Sequence, residues 1–105
     1  MPAVLQQHTL ARPASFSGIG LHSGNKVAMT LLPAPPNTGV VFRRVDLESR
    51  VEIPAQIGNV AETDRSTSLS RGNAKVQTVE HVLAALYGFG ITNAVVELNA
   101  SEPPV

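Results

Sequence analysis

The stretch "QTVEHVLAALYGFGITNAVVEL", residues 77–98, decides the fold, because the apolar period changes inside it. Val79, Val82, Leu83 and Leu86 recur at helical spacing. Thr78 stands where an N-cap belongs, and Gly88 or Gly90 can stop the helix, which predicts one helix over about 78–88. The residues that follow, "TNAVVELN", read as a strand.

Upstream of this stretch the pattern is strand throughout. "HTLARPASFSGIGLHSGNKVAMTLLPAP" reads as two strands about a turn at His22-Ser23-Gly24-Asn25, where Gly and Asn accept a positive φ cheaply. From Lys26 to Leu32 the residues alternate, with Val27, Met29 and Leu31 on one face and Thr30 on the other. "PAPPNTG" is loop. "VVFRRVDL" is a third strand, and "VEIPAQIG" a fourth whose Pro54 confines it to an edge or a bulge. "STSLSRGNAKVQT" predicts a hairpin about Gly72-Asn73. No repeat or linker interrupts the chain, so residues 1–105 read as one domain. Many strands and one amphipathic helix give an α+β class: a two-layer sandwich in which a mostly antiparallel sheet is covered by that helix. One helix is thin cover for so many strands. "SEPPV" also ends the chain with no closing element, so the sequence reads as a C-terminally incomplete domain.

Composition removes several function classes. The 105 residues carry 8 Lys+Arg against 8 Asp+Glu, and no basic run is longer than Arg43-Arg44, which argues against nucleic acid as a partner. Without cysteine there is no disulfide, thiolate zinc site or thiol nucleophile. No apolar run approaches the roughly 20 residues of a transmembrane helix, and the N-terminus lacks a secretory h-region. The expected location is the cytoplasm.

Glu80 and His81 stand side by side in the first turn of the predicted helix. The positive end of the helix dipole favours a carboxylate there and disfavours an imidazolium, and neutral imidazole is the metal-binding form. A zinc-ligating His beside a Glu general base is the arrangement of hydrolytic zinc sites. The helical zinc motifs, however, carry two histidines, as H-E-x-x-H or H-x-x-E-H. The inverted form needs His at position 77, which is Gln77. This helix therefore supplies one ligand of the roughly three that a catalytic zinc needs. A structural reading stands beside the catalytic one, with Glu80 a favourable first-turn charge and His81 a half-buried polar residue. His8 lies near a terminus and His22 in a glycine-flanked turn that no helix follows. The hydroxyls of "DRSTSLS" have no base beside them in sequence.

Several stretches together carry a resemblance. They are "QHTLARPASFSGIGLHSGNKVAMTLLPAPPNTGVVFRRVDL", "TDRSTSL", "VQTVEHVLAALYGFGITNAVVEL" and "SEPPV". In this order they resemble the N-terminal part of the UDP-3-O-acyl-N-acetylglucosamine deacetylases, the zinc amidases of lipid A biosynthesis in Gram-negative bacteria. The resemblance implies a parent of two similar α+β domains with the active site between them. It assigns Glu80 as the general base and His81 as the first domain's single zinc ligand. The other ligands, a His and an Asp one helical turn apart, and a further His that assists the leaving amine, would come from the second domain. Arg65, Ser66 and Thr67 would edge the cleft for the UDP-linked, acylated glucosamine, and His22 would be a supporting residue. A P-I-M-D-G-S motif and a second helix would follow the last residue.

The resulting expectation is the first domain of a zinc deacetylase, inactive without its second domain. The alternative is a non-catalytic domain of the same fold that binds a partner or a sugar nucleotide. With one helix over the sheet, the isolated chain is expected to be weakly stable or self-associating. Sedimentation and thermal melts test this, and a sharp, reversible melt of a monomer would refute the missing helix.

Overall fold

The computed structural model describes residues 6–20, 23–48, 50–56, 58, 60–62, 67–72 and 74–104. The elements are β1 (Ala14–Ile19), β2 (Lys26–Pro33), β3 (Val40–Arg44), β4 (Glu52–Pro54), β5 (Val60–Glu62), β6 (Thr67–Arg71), β7 (Ala74–Val76), α1 (Glu80–Gly88) and β8 (Ala94–Leu98). They form an α+β sandwich, as the change of period predicts. The strands divide into a five-stranded sheet, in the order β1-β2-β8-β3-β4, and a three-stranded sheet, β5-β6-β7. All pairings are antiparallel except that of β3 with β8. No helix among the described residues is long and apolar enough to cross a membrane.

β8 is last in sequence but central in its sheet. It runs antiparallel to β2 and parallel to β3. Its alternation is strict: Ala94, Val96 and Leu98 are buried, and Val95 and Glu97 are half-buried. Val27 and Met29 of β2, Val40 and Phe42 of β3 and Ile53 of β4 join Val96 and Leu98 in the core. Leu69, Ala74 and Val76 of the small sheet, Val79 just before α1 and Leu86 of α1 complete it. Val82 and Leu83 pack against its margin. Pro54 closes β4, which lies at a sheet edge as a proline requires.

Two features depart from the sequence reading. The first is a second sheet, which arises because β5 adds a third strand to the expected hairpin at Gly72. β5 has three residues, too few for alternation to show. The second departure is at the helix start. α1 begins at Glu80, its N-cap is Val79, and no side chain caps it. Thr78 does not cap because its φ is 56°, the left-handed region, which costs a β-branched residue about 1–2 kcal/mol. At the other end Gly90, at φ 75°, ends the helix in a Schellman arrangement. There the Ile91 N–H reaches Leu86 O at 2.9 Å and the Gly90 N–H reaches Tyr87 O at 3.0 Å.

The segments around His8 and residues 101–104 are tied down by hydrogen bonds distant in sequence. The His8 N–H donates to Thr92 Oγ1 at 2.9 Å, and the Thr92 and Asn93 N–H groups return to His8 O at 2.9 and 3.0 Å. Residues 101–104 are also tied to the rest of the fold. Ser101 O accepts the Gln77 N–H at 2.6 Å, and Pro104 bridges Gly20. Glu102 is 2% exposed and its Oε1 accepts the Ser23 N–H at 2.8 Å. A Cβ on Gly20 would collide with the Glu102 carboxylate and the Ser23 hydroxyl, so any larger residue there forces these side chains to move.

Polar ties cross the sheets. Arg43 bonds Glu52 at 2.7 Å and Glu97 at 2.9 Å, and these two contacts raise its pKa further. Arg44 bonds Asp46 at 2.6 Å and reaches Lys75 O at 2.8 Å, which joins β3 to β7.

Gly20→Ala is expected to cost about 1–3 kcal/mol as an overpacked, buried site, read from the urea midpoint. The hydrogen bond from Arg44 holds the Asp46 carboxyl below the usual carboxylate range. A lowered folded-state pKa stabilises above the unfolded value, and that stability is lost as pH falls through the folded value. Asp46→Asn should therefore lower stability at neutral pH, and its difference from wild type should close as the solution is acidified below the usual carboxylate pKa.

Candidate functional site

The site is built where β6 meets α1. Val79 is wholly buried and carries the start of α1 into the core. The Val79 N–H donates to Thr67 O at 3.2 Å. One residue on, Glu80 turns its carboxylate back, and Oε2 accepts the Thr67 N–H at 3.1 Å. Thr67 is thus held at both main-chain groups by successive residues of the helix start. Glu80 Oε1 has no hydrogen-bond partner among the described residues. The carboxylate is half-buried, anchored by one oxygen and open at the other, which is the form a general base needs.

His81 is exposed. Its ring borders an open, apolar groove of about 320 Å³ between α1 and the β1–β2 end of the large sheet. Phe16, Met29, Leu31, Leu86, Phe89 and Ile91 line this groove, with Phe89 86% exposed. It is the part of the sheet's apolar face that one helix leaves open.

His81 offers an accessible imidazole, the right donor type for zinc. Among the described residues no three of His, Cys, Asp or Glu come together. His81 therefore fits one corner of a zinc site, and the described residues do not complete it.

Of the other residues singled out by sequence, Thr67 lies at the helix start and its main chain grips Glu80. Arg65, Ser66 and His22 lie outside the described residues. His8 uses its main chain to pin the N-terminal segment, and its ring is exposed. Ser68 is buried with no hydrogen-bond partner for Oγ among the described residues, so nothing activates it as a nucleophile. Sequence reasoning missed the Thr67–Glu80 contact. The two residues are 13 apart, and no spacing rule joins a strand's first N–H to a helix's first carboxylate.

The family model described as UDP-3-O-acyl N-acetylglycosamine deacetylase matches residues 7–105. A UDP-3-O-acyl-N-acetylglucosamine deacetylase of Pseudomonas entomophila (strain L48) is 56% identical over 102 residues, covering 97% of this chain and 34% of the relative. Another, of Cellvibrio japonicus (strain Ueda107), is 51% identical over 102 residues with the same coverages of 97% and 34%. The chain thus spans about a third of the length of these curated relatives.

Proposed function

The chain belongs to the UDP-3-O-acyl N-acetylglycosamine deacetylase family, and on that premise we propose that it is the N-terminal domain of a zinc-dependent hydrolase. The substrate would be UDP-3-O-acyl-N-acetylglucosamine, from which the N-acetyl group leaves as acetate in lipid A biosynthesis. The remaining two-thirds of the protein would be a second domain that completes the site. The reading carries with it a cytoplasmic location. The observation that supports it is the pairing of an anchored carboxylate, Glu80, with an exposed imidazole, His81, at one helix start.

In this mechanism His81 holds one position of the metal and ligands outside this chain hold the rest. Zinc, when bound there, supplies the positive charge that polarises the amide carbonyl and acidifies the attacking water. Glu80 takes a proton from that water through the oxygen that Thr67 leaves free. The new C–O bond forms, the C–N bond breaks, and the departing nitrogen gains a proton, giving acetate and a free amine. Arg65, Ser66 and Thr67 would edge the substrate cleft, and His22 would support the site. On its own the chain would be inactive, because one imidazole holds zinc too weakly.

The test uses the full-length protein. Glu80→Gln should lower kcat about 10²–10⁴-fold while zinc remains bound. His81→Ala should lose tight zinc binding in calorimetry, and residues 1–105 alone should show none. Unchanged kcat in Glu80→Gln would overturn the base assignment. An inactive full-length protein that still binds the sugar nucleotide would favour a non-catalytic binding domain instead.

A further inference from the structure

We propose that Thr67 is a positioning residue for Glu80, acting through its main chain, and that the left-handed turn at Thr78 sets its grip. The inference rests on Glu80 being the base.

Three observations carry it. Glu80 is the first helical residue, yet its carboxylate caps no N–H of its own helix. It crosses instead to the Thr67 N–H, while the Val79 N–H bonds Thr67 O. Two successive residues thus close on one, which fixes both the height of the helix start and the direction of the carboxylate. The carboxylate has one hydrogen bond, and the main-chain bond beside it holds the Thr67 N–H at a fixed distance from the helix start.

The second observation is Thr78, the residue before this clamp. It is β-branched, buried and at φ 56°, and Oγ1 has no hydrogen-bond partner among the described residues. Strained backbone and an unpaired buried hydroxyl are both unfavourable, and they persist only where the surroundings over-determine the conformation. Here the surroundings are explicit. The Gln77 N–H is held by Ser101 O on one side, and the Val79 N–H by Thr67 O on the other. The left-handed residue turns the chain between these two anchors. It thereby presents the Val79 N–H and the Glu80 carboxylate to the same strand residue.

The third is the choice of donor. A backbone N–H at the first residue of a strand has no rotamers, so it orients a carboxylate more rigidly than a side chain can. A base oriented by a third group is a recurring arrangement in hydrolytic sites. Here the third group is peptide, and residue type at position 67 matters less than the presence of its N–H.

The experiment combines a double-mutant cycle with hydrogen exchange, both in the full-length protein. Thr67→Pro deletes the N–H, and proline is tolerated as the first residue of a strand. It is expected to lower kcat about 10²-fold, with KM and zinc content unchanged. Combined with Glu80→Ala it should add no further loss, because its effect runs through that carboxylate. A merely structural role would lower kcat by the same factor in both backgrounds, which would overturn the proposal. Exchange at the Thr67 amide, followed by nitrogen-15 threonine labelling, gives a readout independent of catalysis. Glu80→Ala should speed it about tenfold or more, with the Leu69 amide unaffected. Unchanged Thr67 exchange would overturn the clamp, and this arm decides the matter if Thr67→Pro fails to fold. Normal kcat in Glu80→Ala together with faster Thr67 exchange would keep the clamp and remove only the base reading.

Discussion

The fold depends on β8 fitting between β2 and β3. Ala94, Val96 and Leu98 are fully buried, and the strand's main chain pairs on both sides. A strand in that position tolerates no break and no inward polar residue. Its one charge, Glu97, falls on the opposite face, where register places it beside Arg43, itself beside Glu52. One guanidinium thus joins β4, β3 and β8 along a single cross-strand line. Exposed ion pairs add little stability. Their weight is in register, since a slip of one residue would carry Glu97 into the core and Val96 out of it.

From that sheet the site follows by exclusion. α1 lies against the core through Val79 and Leu86, and its first turn meets the end of β6. The large sheet contributes the apolar groove beside His81 but no polar group to Glu80. The candidate site is therefore a junction between the small sheet and one helix, while the large sheet serves as its foundation. A carboxylate and an imidazole on adjacent residues cannot both face the core. The geometry divides them, with Glu80 half-buried and held, and His81 outward and available.

Much of this was legible in sequence for a simple reason. The periods of Lys26–Leu32, Val79–Leu86 and Ala94–Leu98 reflect burial directly, and burial is what alternation encodes. Pro54 marked an edge or a bulge because a proline cannot donate to a ladder, and the edge is what forms; of the two candidate stops, Gly88 and Gly90, it is Gly90 that takes φ 75°. What stayed hidden was long-range. Nothing in "AVVEL" says that its neighbours are β2 and β3, and nothing in three residues of β5 announces a strand. Thr78 was misread because hydroxyl residues before helices usually cap, a preference that tertiary anchors at Gln77 and Val79 override. The pair Glu80 and His81 was visible as a pattern. The contact that holds Glu80, with the main chain of Thr67, belongs to no local pattern.

The small sheet is a weak body on a strong one. Its strands have three, five and three residues. Leu69, Ala74 and Val76 anchor it to the core, and Arg44, Gln77 and Thr67 supply its polar ties. Short strands with few attachments open at lower free energy than the whole domain. Opening there lifts Thr67 from Glu80 while β1, β2, β8, β3 and β4 stay paired. The Thr67–Glu80 contact would then have its own melting transition, below that of the large sheet, and warming would release the carboxylate before it unfolds the domain.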